Sequence, residues 1–185
     1  MKIILIRHGK PTSATNPKIN ATDYAKWIRR YNASDVSADS RPTSINPEYQ
    51  SYYTLSSDFK RALHSADIYS SKYPEVVDAL YREMEIPRYK LPFLLTAWHW
   101  VYLSRVLWML GCKGPFESYK EAKDRAETGA IKLTQIARVE KNVVLFGHGF
   151  INLHIRKALI KQGWKLTSKS NVYWGNTTLE SSSET

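Results

Sequence analysis

The strongest constraint on the fold of this chain is a pair of His-Gly steps, one near each end of its 185 residues: His8-Gly9 and Gly147-His148-Gly149. Each directly follows a short apolar run, residues 2–6 (KIILI) and 142–146 (NVVLF), of the kind that forms strands buried on both faces. Ligands in open α/β sheets gather at the carboxyl ends of parallel strands, so two such strands lying side by side would deliver both imidazoles to one site. A glycine after each histidine lets the backbone turn sharply and a ligand come close. Taken singly, either pair is a weak signal, because a lone histidine more often makes a structural hydrogen bond.

The rest of the chain reads as alternating strands and helices. Residues 12–50 are rich in Ser, Asn, Asp and Pro and suggest a long surface excursion with one helical patch over 23–31. Leu55-Ser56-Ser57 ends a strand, and Ser57 or Asp58 is placed to cap a helix of about 15 residues whose first turn holds Arg61. A short strand is expected over 76–80, with Pro87 ending regular structure beyond it. Apolar and small residues at helical spacing predict a long amphipathic helix over 117–138, and residues 150–162 another, terminated by Gly163. Residues 171–179 read as a last strand or hairpin, and 180–185 as a disordered polar tail. The expectation is a single domain over 1–185: an α/β three-layer sandwich with a mostly parallel central sheet flanked by helices.

Residues 91–111, LPFLLTAWHWVYLSRVLWMLG, form the most apolar stretch and are about long enough to cross a bilayer, which takes roughly 20 residues. His99 and Arg105 interrupt the run, so a core or lid helix is the preferred reading. An aromatic face meeting lipid, or a second copy in a homodimer, is the lesser one. The net charge of +10 draws anions to the surface without saying which, and nucleic acid is not favoured as a partner. One cysteine, Cys112, permits no internal disulfide, and it reads as a buried or inert thiol. With an apolar run of four before Arg7, too short for a secretory core, the expected location is cytoplasmic. His64, His99 and His154 show no ligand-like spacing, and no nucleotide-binding glycine motif is present, so neither a metal nor a cofactor is expected.

Arg7 beside His8, and Arg61 at a helix start, would supply guanidinium forks suited to the oxygens of a phosphoryl group. Together Arg7-His8-Gly9, Ser56-Ser57-Asp58-Phe59-Lys60-Arg61-Ala62, Glu117-Ser118 and Gly147-His148-Gly149 resemble, in order and approximate spacing, the motifs of the histidine phosphatase (phosphoglycerate mutase-like) superfamily. Asn176-Thr177-Thr178 is similar to that family's last strand. The resemblance spans nearly the whole chain, and each element is common alone but specific in this order.

What the resemblance implies is a phosphohistidine mechanism on His8, without metal. Arg7, Arg61 and His148 would bind the phosphoryl oxygens, and a carboxylic acid after the central strand would protonate the leaving group. Glu83 fits that place best, with Glu85 the alternative, because positions two apart share a face in extended chain. Surrounding positive charge should keep His8 neutral near pH 7. Where the family often continues E-T-x-x-N, this chain has Lys10-Pro11-Thr12 and, further on, Asn16, which could replace a substrate contact. That departure favours a phosphatase acting on a small anionic phosphate ester over a mutase. The remaining alternative is a non-catalytic protein that uses the basic surface to bind nucleic acid or membrane.

Overall fold

The computed structural model describes residues 1–182. Eight strands and five α-helices lie along it. β1 (Lys2–Arg7), β2 (Lys18–Ile19) and α1 (Ala21–Ala33) come first, followed by β3 (Tyr53–Ser56), α2 (Lys60–Ser70), β4 (Val76–Val77) and β5 (Leu95–Thr96). After them come α3 (Ala97–Met109), α4 (Tyr119–Glu140), β6 (Asn142–Gly147), α5 (Gly149–Lys161), β7 (Lys165–Lys169) and β8 (Asn176–Glu180). Six strands make one sheet in the order β4-β3-β6-β1-β8-β7, while β2 and β5 pair separately. β4, β3, β6 and β1 run parallel, and β8 and β7 close the far edge antiparallel. This is the expected α/β architecture with a mostly parallel sheet.

The period-two alternation of β1 and β6 explains the layering. Ile3, Leu5, Val143 and Leu145 join the core beneath α4 and α5, whereas Ile4, Ile6, Val144 and Phe146 pack on the other face with Ala66 and Tyr69 of α2. Along α4, Ala122, Ala126, Ala130, Leu133 and Ala137 recur at helical spacing and are buried, and the small side chains let this helix lie close to its neighbours. Ser118 starts α4 with a reciprocal capping box to Glu121, which satisfies two backbone donors that the helix leaves free. Gly163, at φ +92°, terminates α5 as its spacing indicated.

Several boundaries differ from expectation. α2 runs 11 residues from Lys60, without a side-chain cap on its N-cap residue Phe59. The 76–80 strand is cut to Val76–Val77 because Asp78 turns the chain into a short 3-10 helix, Ala79–Tyr81. Residues 12–50 are more than surface: Tyr24, Trp27, Ile28 and Tyr31 line one face of α1 and bury against Ile86, Ala97 and Trp100 as a separate cluster. Cys112 is exposed, not buried, since it lies in the open loop after α3. Glu180, read as part of the tail, belongs to β8 opposite Lys2, and residues 183–185 lie outside the described residues. Among the described residues, no helix is long and apolar enough to cross a membrane.

Candidate active site

The register of the central strands builds the site. β1 and β6 pair with Arg7 opposite Gly147, so the next residues, His8 and His148, leave the sheet side by side. The His8 amide donates to the Gly147 carbonyl at 3.1 Å, and the two imidazole centroids stand 4.9 Å apart. Gly9 is needed for close packing, because a Cβ there would collide with the Trp174 ring. Its amide is tied to Ser65 Oγ at 3.0 Å, which links the turn to α2.

Hydrogen bonding specifies the tautomer of His8. Nδ1 lies 2.7 Å from the Gly9 carbonyl oxygen, which can only accept, so Nδ1 carries the proton. Nε2 is then a lone-pair nitrogen, and Arg61 Nε donates to it at 3.2 Å. Burial pushes the His8 pKa well below 6.5, and the Arg61 and then Arg7 charges push the same way, against the Gly9 bond. Desolvation thus leads where the sequence suggested neighbouring charge. His148 is also lowered well below 6.5, by burial first and then by Arg61, and its Nε2 pairs with Ser57 Oγ at 2.9 Å.

Arg61 is fully buried in the first turn of α2, as its position after the Ser-Ser pair implied. Nη1 donates to the Tyr31 and Asn32 carbonyls at 3.0 and 3.1 Å, and the guanidinium stacks between the Tyr31 and Phe59 rings. Burial lowers its pKa, opposed by Tyr31 and Glu83. Arg7 extends beside α5, donating from Nη1 to the Asn171 carbonyl at 2.7 Å with the Tyr173 ring 4.2 Å from its guanidinium carbon. Among the described residues, Arg61 Nη2, Arg7 Nε, His148 Nδ1 and, on α3, Arg105 Nη1 are buried side-chain nitrogens without a hydrogen-bond partner. Buried polar groups left unpaired are costly, and Arg61, Arg7 and His148 all neighbour His8, a composition suited to a tetrahedral oxyanion.

The two candidate acids are separated by their surroundings. Glu83 reaches the N-terminus of α5, directly after His148: Oε1 accepts from the Met84, Phe150 and Ile151 amides at 3.0, 3.2 and 2.9 Å, and Oε2 from Phe150 alone at 3.2 Å. Glu85 is exposed and accepts from the Glu117 amide at 2.7 Å, in front of α4. Both line a cavity of about 320 Å³ beside Phe59, Arg82 and Arg125. Glu117 of the Glu-Ser pair holds Arg125 through two bonds, at 2.7 and 2.8 Å, so it shapes this cavity's wall. Asn16 is not brought to the histidines. It is exposed, and its Oδ1 accepts from the Trp98 amide at 3.0 Å, anchoring the start of α3, because the chain turns into β2 immediately after it.

Sequence reasoning missed the aromatic roof. Tyr31, Phe59 and Tyr173 stack on Arg61 and Arg7, and His8 is only 1% exposed beneath them. The Tyr24, Trp27, Ile28, Tyr31 spacing was a signal for the first of these, whereas Tyr173 comes from a turn with no periodic pattern. Among the described residues, no three His, Cys, Asp or Glu side chains converge as a metal would require.

No protein-family model matches the chain, and no curated protein matches it in sequence. Solved structures do match. A mutant phosphoserine phosphatase from Entamoeba histolytica, in complex with phosphoserine, superposes with TM-score 0.59 at 15% identity over 96% of this chain and 89% of that one. The same enzyme in complex with 3-phosphoglyceric acid gives 0.56 at 17% identity, with coverages of 96% and 89%. Phosphoglycerate mutase from Thermus thermophilus gives 0.52 at 19% identity, covering 86% of this chain and 84% of that one. The chain therefore has the phosphoglycerate mutase-like fold.

Proposed function

We propose that the protein is a phosphatase that hydrolyses a phosphate monoester through a phosphohistidine on His8. The observation that carries this reading is the pairing of a proton-free, buried Nε2 with three unpaired nitrogens on Arg61, Arg7 and His148. In the first step Nε2 attacks phosphorus and the ester oxygen leaves with a proton from Glu83, whose Oε2 is the less engaged carboxyl oxygen. Arg61, Arg7 and His148 stabilise the charge on the non-reacting oxygens, and rigid placement means no reorganisation is needed as that charge develops. In the second step Glu83 takes a proton from water, the oxygen of that water bonds to phosphorus, the P–N bond breaks, and inorganic phosphate and neutral His8 are restored.

The substrate class that fits is a small phosphorylated metabolite, in keeping with the phosphoserine and 3-phosphoglyceric acid held by the fold's solved relative. The test is turnover of p-nitrophenyl phosphate in the presence of chelator by wild type and His8→Ala. Release of inorganic phosphate by wild type and its loss in the variant are expected. Equal activity in the two proteins rules the reading out, and transfer of the phosphoryl group to a second alcohol in place of water makes the enzyme a mutase.

A further inference from the structure

The outer face of α3 is unlike the rest of the surface. Its inner side is spent on the protein: Ala97, Trp100, Ser104 and Trp108 are buried, and Arg105 donates to the Met84 carbonyl at 2.7 Å. At the complementary spacing, Tyr102 (67% exposed), Val106, Met109 and Leu110 (76%) face solvent, and Phe93 and Leu94 (49% and 58%) precede the helix in the same exposed state. Isolated apolar side chains on a surface need no explanation, but six of them within 18 residues of chain around one helix do. Among the described residues each keeps 43% or more of its surface exposed.

Cations frame this apolar crown. One groove, of about 950 Å³ between α1 and the loops flanking α3, is lined by Lys26, Arg29, Arg88, Lys90 and Lys113 and by no carboxylate. A second, of about 540 Å³ at the C-terminal end of α3, is lined by Met109, Lys113, Lys120 and Lys123; its one carboxylate, Glu121, is occupied in the α4 capping box. Lys113 lines both, so the two grooves meet at that loop, and among the described residues Arg29, Lys90, Lys113 and Lys120 form no ion pair.

We propose that this face docks the protein onto an anionic lipid bilayer, with Phe93, Leu94, Tyr102, Val106 and Leu110 entering the headgroup and acyl boundary while the flanking lysines and arginines meet lipid phosphates. Apolar insertion and charge attraction are both needed, since either alone gives only weak surface binding. A second copy of the chain is the poorer occupant, because a two-fold contact through this face sets Lys113 and its neighbours against their own like charges. Nucleic acid would use the cations and leave the apolar residues in water. The inference stands apart from the phosphatase reading, since it uses none of the residues around His8.

The test is co-sedimentation of the full chain with vesicles of phosphatidylcholine, with and without phosphatidylglycerol. The wild type is expected to partition onto the anionic vesicles only, and less so as salt rises. Leu110→Glu with Tyr102→Glu should lower that partition about tenfold, and Lys90→Glu with Lys113→Glu likewise. All four residues are exposed, so circular dichroism and phosphatase turnover should stay as in wild type. Three results overturn the proposal: no partition or equal partition onto both vesicles, full binding by Leu110→Glu with Tyr102→Glu, or a concentration-dependent dimer that Leu110→Glu dissociates in a protein that ignores vesicles. Duplex DNA binding that needs the lysines but not Leu110, without vesicle binding, overturns it as well.

Discussion

His8 acts as a nucleophile only if Nε2 is free of a proton, and two independent contacts arrange this: the Gly9 carbonyl claims the proton on Nδ1 and Arg61 donates to Nε2. With its pKa lowered well below 6.5, His8 stays neutral through mildly acidic solution, so the acid limb of phosphoenzyme formation should lie below pH 6.5. A rapid-quench pH profile checks this, and a limb above 6.5 would count against it. Arg61→Lys removes the fork that spans His8, two carbonyls and a free Nη2, and should reduce kcat/KM about 100-fold or more, the usual loss for a preorganised donor. Glu83→Gln should slow leaving-group departure about 100-fold or more for poor leaving groups and far less for p-nitrophenolate, while Glu85→Gln stays near wild type. Motif order made Arg7, His8, Arg61 and His148 legible, because sequence position alone sets them at strand ends and a helix start. Asn16 was read from family position alone, whereas the contact it makes in the fold, accepting from the Trp98 amide, is long-range and invisible in sequence spacing. The contacts of Arg7 with Asn171 and Tyr173 bridge the two ends of the chain and leave no local trace.

Among the elements, the central strands were legible from apolar runs, and the helices from periodicity and caps, since those signals are local. β7 was not: Lys165–Lys169 reads KLTSK, is exposed throughout and pairs only with β8, so no burial pattern marks it. The role of α1 was hidden by the polar composition around it. Its Tyr24, Trp27, Ile28 and Tyr31 stripe builds a core with α3, and the carbonyls of Tyr31 and Asn32 at its C-terminal end orient Arg61. Trp27→Ala should therefore cost about 3–5 kcal/mol of stability and also lower kcat, although Trp27 touches no catalytic group. Thermal unfolding and steady-state kinetics on one preparation check both, and loss of stability with unchanged kcat would separate α1 from the site.

At the scale of the whole molecule, the site stores a pH-dependent liability. The His8 and His148 values lie below 6.5 in the fold and return to about 6.5 on unfolding, so below that pH the unfolded chain binds more protons. Their contribution to stability is complete above about pH 6.5 and declines as pH falls, each by up to about 1.4 kcal/mol per pH unit. Urea titrations between neutral and mildly acidic pH should show this slope, flattened in His148→Gln. The net charge of +10 should also raise capture of an anionic substrate, so kcat/KM falls with ionic strength while kcat holds. The central claim, a covalent intermediate on His8, is tested most directly by quenching a labelled phosphate ester in turnover and mapping the phosphoryl group by peptide. An acid-labile phosphoryl group on the peptide that carries His8, absent from His8→Ala, is the predicted result; turnover without a phosphoenzyme, or the group found on another residue, contradicts it.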